Sequence, residues 1–348
     1  MEAPNILITG VTGYIGGTIL TTLQNTSYPS LKNAKLSVLV RGESKAAFFR
    51  QKGIETEVIE GAGQLDLLRK VASNYDIIIN PAFCFQTDAA NALVLGMGDR
   101  VKQIGKELHF IQTSGTSNVG DRPITGRYYE DRIFSDNDDI FGYEVERNKK
   151  EPYPQRTTEL VITKTGDEVG VKTHIIMSPT IYGIGTGFFN KISIQIPTLI
   201  RTALEFGQAE YIADGKEEWD YIHVVDLATL YETMLAKIVQ GEDVPYGERG
   251  IFFSETGNYR WKELAQGIAD AGKALGALKT NETKSITLEE ARKLNPTNPE
   301  YVELGFASNS RTRAHKSREL GWGPTKTEKD WQAGFRDDFE AVLKGVVT

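Results

Sequence analysis

The feature that most limits what this chain can become is a glycine-rich run, Thr9-Gly10-Val11-Thr12-Gly13-Tyr14-Ile15-Gly16. It follows the apolar triplet Ile6-Leu7-Ile8 directly and opens a stretch of helical periodicity. A strand, a tight glycine turn and a helix in that order form the phosphate-binding turn of a doubly wound α/β protein. Gly10 permits the turn, Gly13 lets a pyrophosphate approach the backbone, and Gly16 lets the new helix lie close to the sheet. The free N–H groups at the helix start face the anion, so Thr12, Tyr14 and Ile15 belong to the cradle as well.

The rest of the N-terminal half agrees with that reading. Short β-branched apolar runs at Asn5–Thr9, Lys35–Val40, Ile54–Ile59, Asp76–Asn80, Leu108–Thr113 and Lys172–Met177 are expected to be parallel strands. Helical patterns at Tyr14–Gln24, Ser44–Gln51, Gln64–Ser73, Thr87–Lys106 and Arg156–Val169 are long enough to be the crossovers between them. The expected fold class is α/β, a Rossmann sheet over residues 1–178. A smaller C-terminal lobe over 179–348 sends segments back to it. In that lobe the pattern predicts helices near Ile194–Phe206, from Asp226, and at Trp261–Ala271, Leu288–Leu294, Arg311–Leu320 and Glu328–Leu343, with a strand at Tyr221–Val225.

Composition narrows the function. With 348 residues, 40% of them hydrophobic, the chain can bury its own core. A single cysteine, Cys84, excludes an internal disulfide, and four histidines without ligand spacing give no metal site. The start of the chain has no basic leader and no apolar run of membrane length, which points to a cytoplasmic protein with no membrane partner. A net charge of -7 without a Lys/Arg block argues against nucleic acid. A small-molecule substrate is the expected partner, and a homodimer is compatible with the chain.

The end of the second strand chooses the cofactor. An acidic residue there would accept the 2′-hydroxyl of NAD(H), whereas this chain has Arg41 followed by Ser44 and Lys45. Those cations suit a 2′-phosphate, so NADP(H) is expected over NAD(H). Position adds Pro81, Ala82 and Phe83 after the fourth strand, Thr113 at the end of the fifth, and Pro179 and Ile181 after the sixth. Phe188, Phe189, Gln195 and Trp219 are candidate substrate-pocket residues, with core packing the alternative for the aromatics. His223 reads as a structural histidine and Asp226 as a helix N-cap. Arg311 and Arg313 could meet an anion from a surface helix.

Together with Thr113-Ser114-Gly115-Thr116 through Gly120-Asp121, Ser178-Pro179-Thr180-Ile181-Tyr182-Gly183, Tyr221-Ile222-His223-Val224-Val225-Asp226 and Leu320-Gly321-Trp322-Gly323-Pro324, the glycine turn resembles the extended and atypical short-chain dehydrogenase/reductases. The resemblance is to a fungal branch labelled epimerase/dehydratase-like, and it covers almost the whole chain. It implies a Ser or Thr after the fifth strand and a Tyr-x-x-x-Lys pair on the next helix, the lysine lowering the tyrosine pKa for proton exchange. This sequence departs at each place. Gly115 stands at the hydroxyl position, with Ser114 and Thr116 beside it, and Thr116 is the candidate for a shifted role. The lysine position falls near Arg156 and the tyrosine position near Pro152, where Pro152 and Pro154 oppose a helical turn. The literal Tyr28 to Lys32 match lies on the wrong side of the fold. Tyr143, four residues before Arg147, and Tyr153 are the candidate phenols, although an arginine is a fixed charge and no proton relay.

Three functions remain open at this level. One is an NADP(H)-dependent oxidoreductase on a carbonyl, imine or alkene. Another is a redox-neutral isomerase, dehydratase or cyclising enzyme of secondary metabolism that keeps NADP as a fixture, with Glu130, Asp131 and Glu144 as further acid/base candidates. The third is a non-enzymatic NADP(H) sensor. Nucleotide-sugar epimerisation ranks below these, because it needs the tyrosine base.

Overall fold

The computed structural model describes residues 3–345. The expectation of no leader, read from Met1 onward, and the last three positions of the C-terminal lobe reach outside the described residues. Seven parallel strands form the central sheet, in the spatial order Ile251–Phe253, Val171–Ser178, Leu108–Gly115, Ile77–Asn80, Asn5–Thr9, Lys35–Arg41 and Glu55–Ile59. The inner strands are apolar along nearly their whole length because helices cover both faces; all four residues of Ile77–Asn80 are buried. Of the two edge strands, Glu55–Ile59 has a single buried residue, whereas Ile251–Phe253 is buried throughout. Helices Tyr14–Gln24 and Val224–Val239 pack together, and so do Leu65–Ala72, Thr87–Ile104 and Pro154–Val169. The chain order reverses between Asn5–Thr9 and Ile77–Asn80, which opens a crevice at the carboxyl ends of those strands.

Six strands and five crossover helices lie where periodicity puts them, to within one or two residues at almost every end. The seventh strand, Ile251–Phe253, escaped notice because three apolar residues carry no measurable period. The helix Ile140–Lys150 was missed as well, its charged face masking the buried Ile140, Phe141 and Glu144.

Corrections cluster in the C-terminal half, where capping and latching outweigh pattern. The helix expected over Arg311–Leu320 is a two-residue strand, Thr312–Arg313, followed by a short helix, His315–Glu319. Thr312 is drawn into extended backbone by its N–H and hydroxyl bonds to the buried Asp220 carboxylate, at 2.5 and 2.7 Å. The expected strand Tyr221–Val225 is Glu218–His223, and the next helix begins at Val224, not Asp226. Its N-cap is His223, whose Nδ1 accepts from the Val225 N–H at 3.1 Å. Asp226 instead accepts from Thr325 and Lys326, holding the Pro324–Thr327 segment against the sheet domain.

A second apolar cluster unites Tyr182, Trp219, Tyr221, Tyr259, Trp261 and Trp331 with the C-terminal helix Glu328–Leu343. Trp219 is therefore core and not pocket: it is 4% exposed, and its Nε1 donates to Ser308 Oγ at 2.9 Å.

Buried ionisable groups set the pH dependence of this fold. Burial pushes His109 down to about 4, His174 to about 3 and His223 to about 4. It pushes Asp220, Glu255 and Asp338 up to about 7. The depressed histidines cost stability as pH falls below about 6.5, where the unfolded chain takes up their protons. The raised carboxyls act the other way, losing stability as pH rises from about 4 through about 7. Glu144 and Glu159, also raised by burial, add to the carboxyl side. Carboxyls thus outweigh histidines, and the nucleotide-free protein should melt roughly 5 °C higher at pH 6 than at pH 8. Calorimetric scans at the two pH values check this, and a higher melting point at pH 8 contradicts it.

Candidate functional site

The glycine turn is built for an anion. Gly10 adopts φ +63°, and the Gly13 N–H donates to the Gly10 carbonyl at 2.8 Å, closing the turn. A Cβ on Gly16 would lie 2.4 Å from that carbonyl oxygen, so helix and turn touch only because residue 16 has no side chain. A Cβ on Gly13 would meet the same oxygen at 3.1 Å and no other heavy atom within contact range, so its remaining surroundings are open. The helix Tyr14–Gln24 starts there without a side-chain cap, leaving its first N–H groups available. The Tyr14 phenol turns away and donates to the Gly183 carbonyl at 2.5 Å.

A cavity of about 310 Å³ runs from this turn along the strand ends. Thr9, Gly10 and Thr12 form one side, Ala82 and Phe83 another, and Arg41 and Lys45 stand at the far end beside Ile59 and Ala62. No carboxylate lines it. Glu43, the acidic neighbour, is ion-paired to Arg50 on its own helix. The strand ends are locked in register by Thr9 Oγ1 to Asn80 Oδ1 at 2.6 Å and Asn80 Nδ2 to Gln112 Oε1 at 2.8 Å. These residues fit a dinucleotide: bare N–H groups for the diphosphate and an apolar slot for the base, with Arg41 and Lys45 in the same lining. Pro81 leads into the Ala82–Phe83 wall. Thr113 offers only backbone, since its hydroxyl is bonded to Tyr231 at 2.6 Å. Pro179 precedes the strand Thr180–Tyr182, in which Ile181 packs on the main core.

Phe188 and Phe189 are not where a substrate pocket would put them. Their loop crosses the glycine turn, with Asn190 N–H donating to the Thr12 carbonyl at 3.2 Å and Gly187 packed on Gly17. The two rings rest on Phe48 at 5.6 and 4.9 Å, and the Lys52 ammonium lies 4.6 Å over Phe188. The loop is a strap between the dinucleotide turn and the helix Glu43–Gln51. Gln195 is committed elsewhere, donating to the Gly305 carbonyl at 2.8 Å.

At the end of the Leu108–Gly115 strand the structure brings Tyr153 to Ser117, not to Thr116. Pro154 occupies the first turn of its helix and Tyr153 is the residue before it, so the prolines start the helix instead of breaking it. Ser117 Oγ lies 3.3 Å from the Tyr153 phenol and donates to Gln155 Oε1 at 2.9 Å. The Gln155 amide fills the space a side chain at Gly115 would need, 3.1 Å from its Cβ position. Thr116 is fully buried, with a hydroxyl that has no protein partner. Ser114 is bonded to the buried Glu159 carboxylate, which also accepts from Asn118 at 2.6 Å.

Arg156 is buried as a staple. Its guanidinium donates to the Asn118 carbonyl at 3.1 and 2.6 Å and to the Glu151 carbonyl at 2.9 Å. Burial pushes Tyr153 up to about 12 and Cys84 up to about 11, so both are neutral at physiological pH. Tyr143 sits apart, 3.3 Å from the Tyr128 hydroxyl and 4.8 Å from the Phe134 ring. Glu130 is held by Arg132 and Tyr128. Arg311 serves the Glu130 carbonyl and Asp131, and Arg313 its own strand, so neither stands on a surface helix.

Ser117, Gln155, Phe85 and Tyr301 are the residues that sequence reasoning missed. An ungapped count fixed attention on Gly115 and its neighbours, while the helical geometry that delivers Ser117 two residues later is not encoded in spacing. The structure supplies the reason: Thr116–Val119 forms a 3₁₀ turn, which brings Ser117 to Tyr153 and Gln155.

Sheet order, glycine turn and crevice define a Rossmann-type doubly wound fold. Residues 101–247 match the NAD dependent epimerase/dehydratase family. Oxidase ucsJ of an Acremonium species is 27% identical over 333 residues, 92% of each chain. Among solved structures, DesIV, a dTDP-glucose 4,6-dehydratase of Streptomyces venezuelae with NAD and TYD bound, superposes with a TM-score of 0.68. It is 17% identical, covering 98% of this chain and 97% of that one. The UDP-glucose 4-epimerase of Thermotoga maritima with UDP-glucose gives 0.61 at 16% identity, covering 99% and 100%.

Proposed function

We propose that this protein binds NADP(H) and catalyses the reduction of a carbonyl, imine or activated alkene, with Tyr153 as the proton donor. The observation that carries the cofactor preference is the pair Arg41 and Lys45 at the far end of a cavity whose lining has no carboxylate. A dianionic phosphate gains charge-assisted hydrogen bonds there, and nothing among the lining residues repels it.

When bound, the reduced cofactor supplies hydride. The chain's own groups manage the oxygen or nitrogen that receives the proton. Ser117 gives its hydrogen to Gln155, so its oxygen is free to accept from Tyr153, and the phenol is held by one 3.3 Å contact that a substrate oxygen can replace. Among the described residues no lysine ammonium contacts the Tyr153 ring or hydroxyl, and burial keeps the phenol protonated. A group in that state gives protons, which favours reduction over alcohol oxidation. The Acremonium relative is named an oxidase, which is compatible with redox chemistry in this fold.

The same missing ammonium also suits a redox-neutral enzyme of secondary metabolism. Incubating the NADPH-loaded protein with a panel of carbonyl, imine and enone compounds separates the readings. Loss of the reduced-cofactor absorbance supports the reductase, and turnover without that loss overturns it in favour of the redox-neutral enzyme. Binding without any turnover across the panel overturns it in favour of a sensor. We place the protein in the cytoplasm, acting on a small molecule.

The strap gives an independent prediction. If the loop around Phe188 and Phe189 closes over bound nucleotide, the double variant Phe188→Ala/Phe189→Ala releases NADPH about 10-fold faster, since two aromatic contacts of about 0.5–1.5 kcal/mol each are removed. Stopped-flow nucleotide fluorescence measures this, and an unchanged off-rate removes the strap from the account.

A further inference from the structure

Two aromatic rings pack on the buried Tyr153, and the buried Arg156 guanidinium lies 5.8 Å from its ring centroid. The Phe85 ring is 45% exposed and stands edge-on to Tyr153 at 5.9 Å, and the partly buried Tyr301 ring meets Tyr153 at 5.4 Å. A lone exposed phenylalanine needs no explanation. Here, however, the exposed ring comes from the segment directly after Phe83 of the cofactor wall, and it flanks the phenol that faces Ser117.

The arginines around this corner are spent on the protein itself. Arg122 is ion-paired with Glu151 and donates to the Glu300 carbonyl at 2.9 Å; Arg147 pairs with the same Glu151 at 2.5 Å. Arg156 is bound to backbone carbonyls. All three are at most 5% exposed. A diphosphate entering here would lose its hydration without gaining a cation, whereas an uncharged ring loses little.

We infer that the substrate is a neutral, flat aromatic or conjugated ring compound bearing a carbonyl, seated against Phe85 and Tyr301 with its oxygen at Tyr153 and Ser117, and not a nucleotide sugar. This rests on the cofactor-binding reading above and adds the substrate class to it.

Calorimetric titration of the NADP⁺-loaded protein, which cannot reduce its ligand, tests the inference. The probes are acetophenone, 2-acetylnaphthalene, methyl cyclohexyl ketone and UDP-glucose. The aryl ketones are expected to bind at least 10-fold more tightly than methyl cyclohexyl ketone, with UDP-glucose giving no heat. Phe85→Ala and Tyr301→Ala should each weaken 2-acetylnaphthalene about 10-fold and leave NADP⁺ affinity unchanged. Aryl ketones binding no better than the saturated ketone, UDP-glucose binding as well as they do, or both variants binding 2-acetylnaphthalene normally would each overturn it. Failure to take up NADP⁺ at all would instead strike the cofactor reading, so the two failures are distinguishable.

Discussion

Replacing Arg41 with glutamate should weaken NADP⁺ binding about 100-fold or more while leaving NAD⁺ binding within a few-fold of the native value. The guanidinium lies at the end of the Lys35–Arg41 strand in the wall of the cavity, with Lys45 across from it. One charge-assisted hydrogen bond contributes about 1.5–3 kcal/mol, and the substitution also turns attraction into repulsion of a dianion. The glutamate is then placed to accept from a 2′-hydroxyl, which is the NAD arrangement. Lys45→Met should cost less, about 5-fold, since an ammonium is a point charge without a bidentate face. Dissociation constants for both nucleotides check the pair. Equal losses for NADP⁺ and NAD⁺ would show that Arg41 does not read the ribose.

Tyr153→Phe is the second large effect. On any carbonyl compound that the protein reduces, kcat should fall by about 10³, with NADPH affinity unchanged, because general acid catalysis supplies about 10²–10⁴ and the ring itself stays in place. Ser117→Ala should cost about 10-fold, removing only the partner that aims the phenol. Thr116→Ala should leave kcat alone, since that hydroxyl is buried and does not face Tyr153. The pH profile carries a further signature. With the phenol pushed up to about 12 by burial, reduction should show no loss of the proton donor between pH 6 and pH 9. Activity in Tyr153→Phe within a few-fold of native would assign the proton to water or to another group.

The halves of the chain were unequally legible. Parallel strands covered on both faces are written as apolar runs, and crossover helices as amphipathic ones, so Asn5–Thr9 and Tyr14–Gln24 could be read to the residue. The cradle was equally clear, because Gly10 and Gly16 answer to backbone geometry within eight residues of chain. The reaction end was not, because it is assembled from residues far apart in sequence: Phe85, Ser117, Tyr153 and Tyr301 meet only after the sheet has formed. Phe188 and Phe189 misled for a related reason. Their apolar character was correctly noticed, but the partner that claims them is Phe48, 140 residues earlier in the chain. Asp226 shows the limit of local rules: it has the right residue type for a cap but lies inside the first turn, where it accepts from the Thr325 and Lys326 backbone while a histidine does the capping.

The account stands on a diphosphate held by the uncapped start of the Tyr14–Gln24 helix, and calorimetric titration of the nucleotide-free protein with NADP⁺, alongside Gly13→Val, tests that contact directly. The native chain should take up one NADP⁺ per molecule and the valine variant, melting at a comparable temperature, should take up none, because its side chain stands in the open space beside the turn. Equal NADP⁺ affinity in the two proteins, or no heat from the native one, would contradict the account.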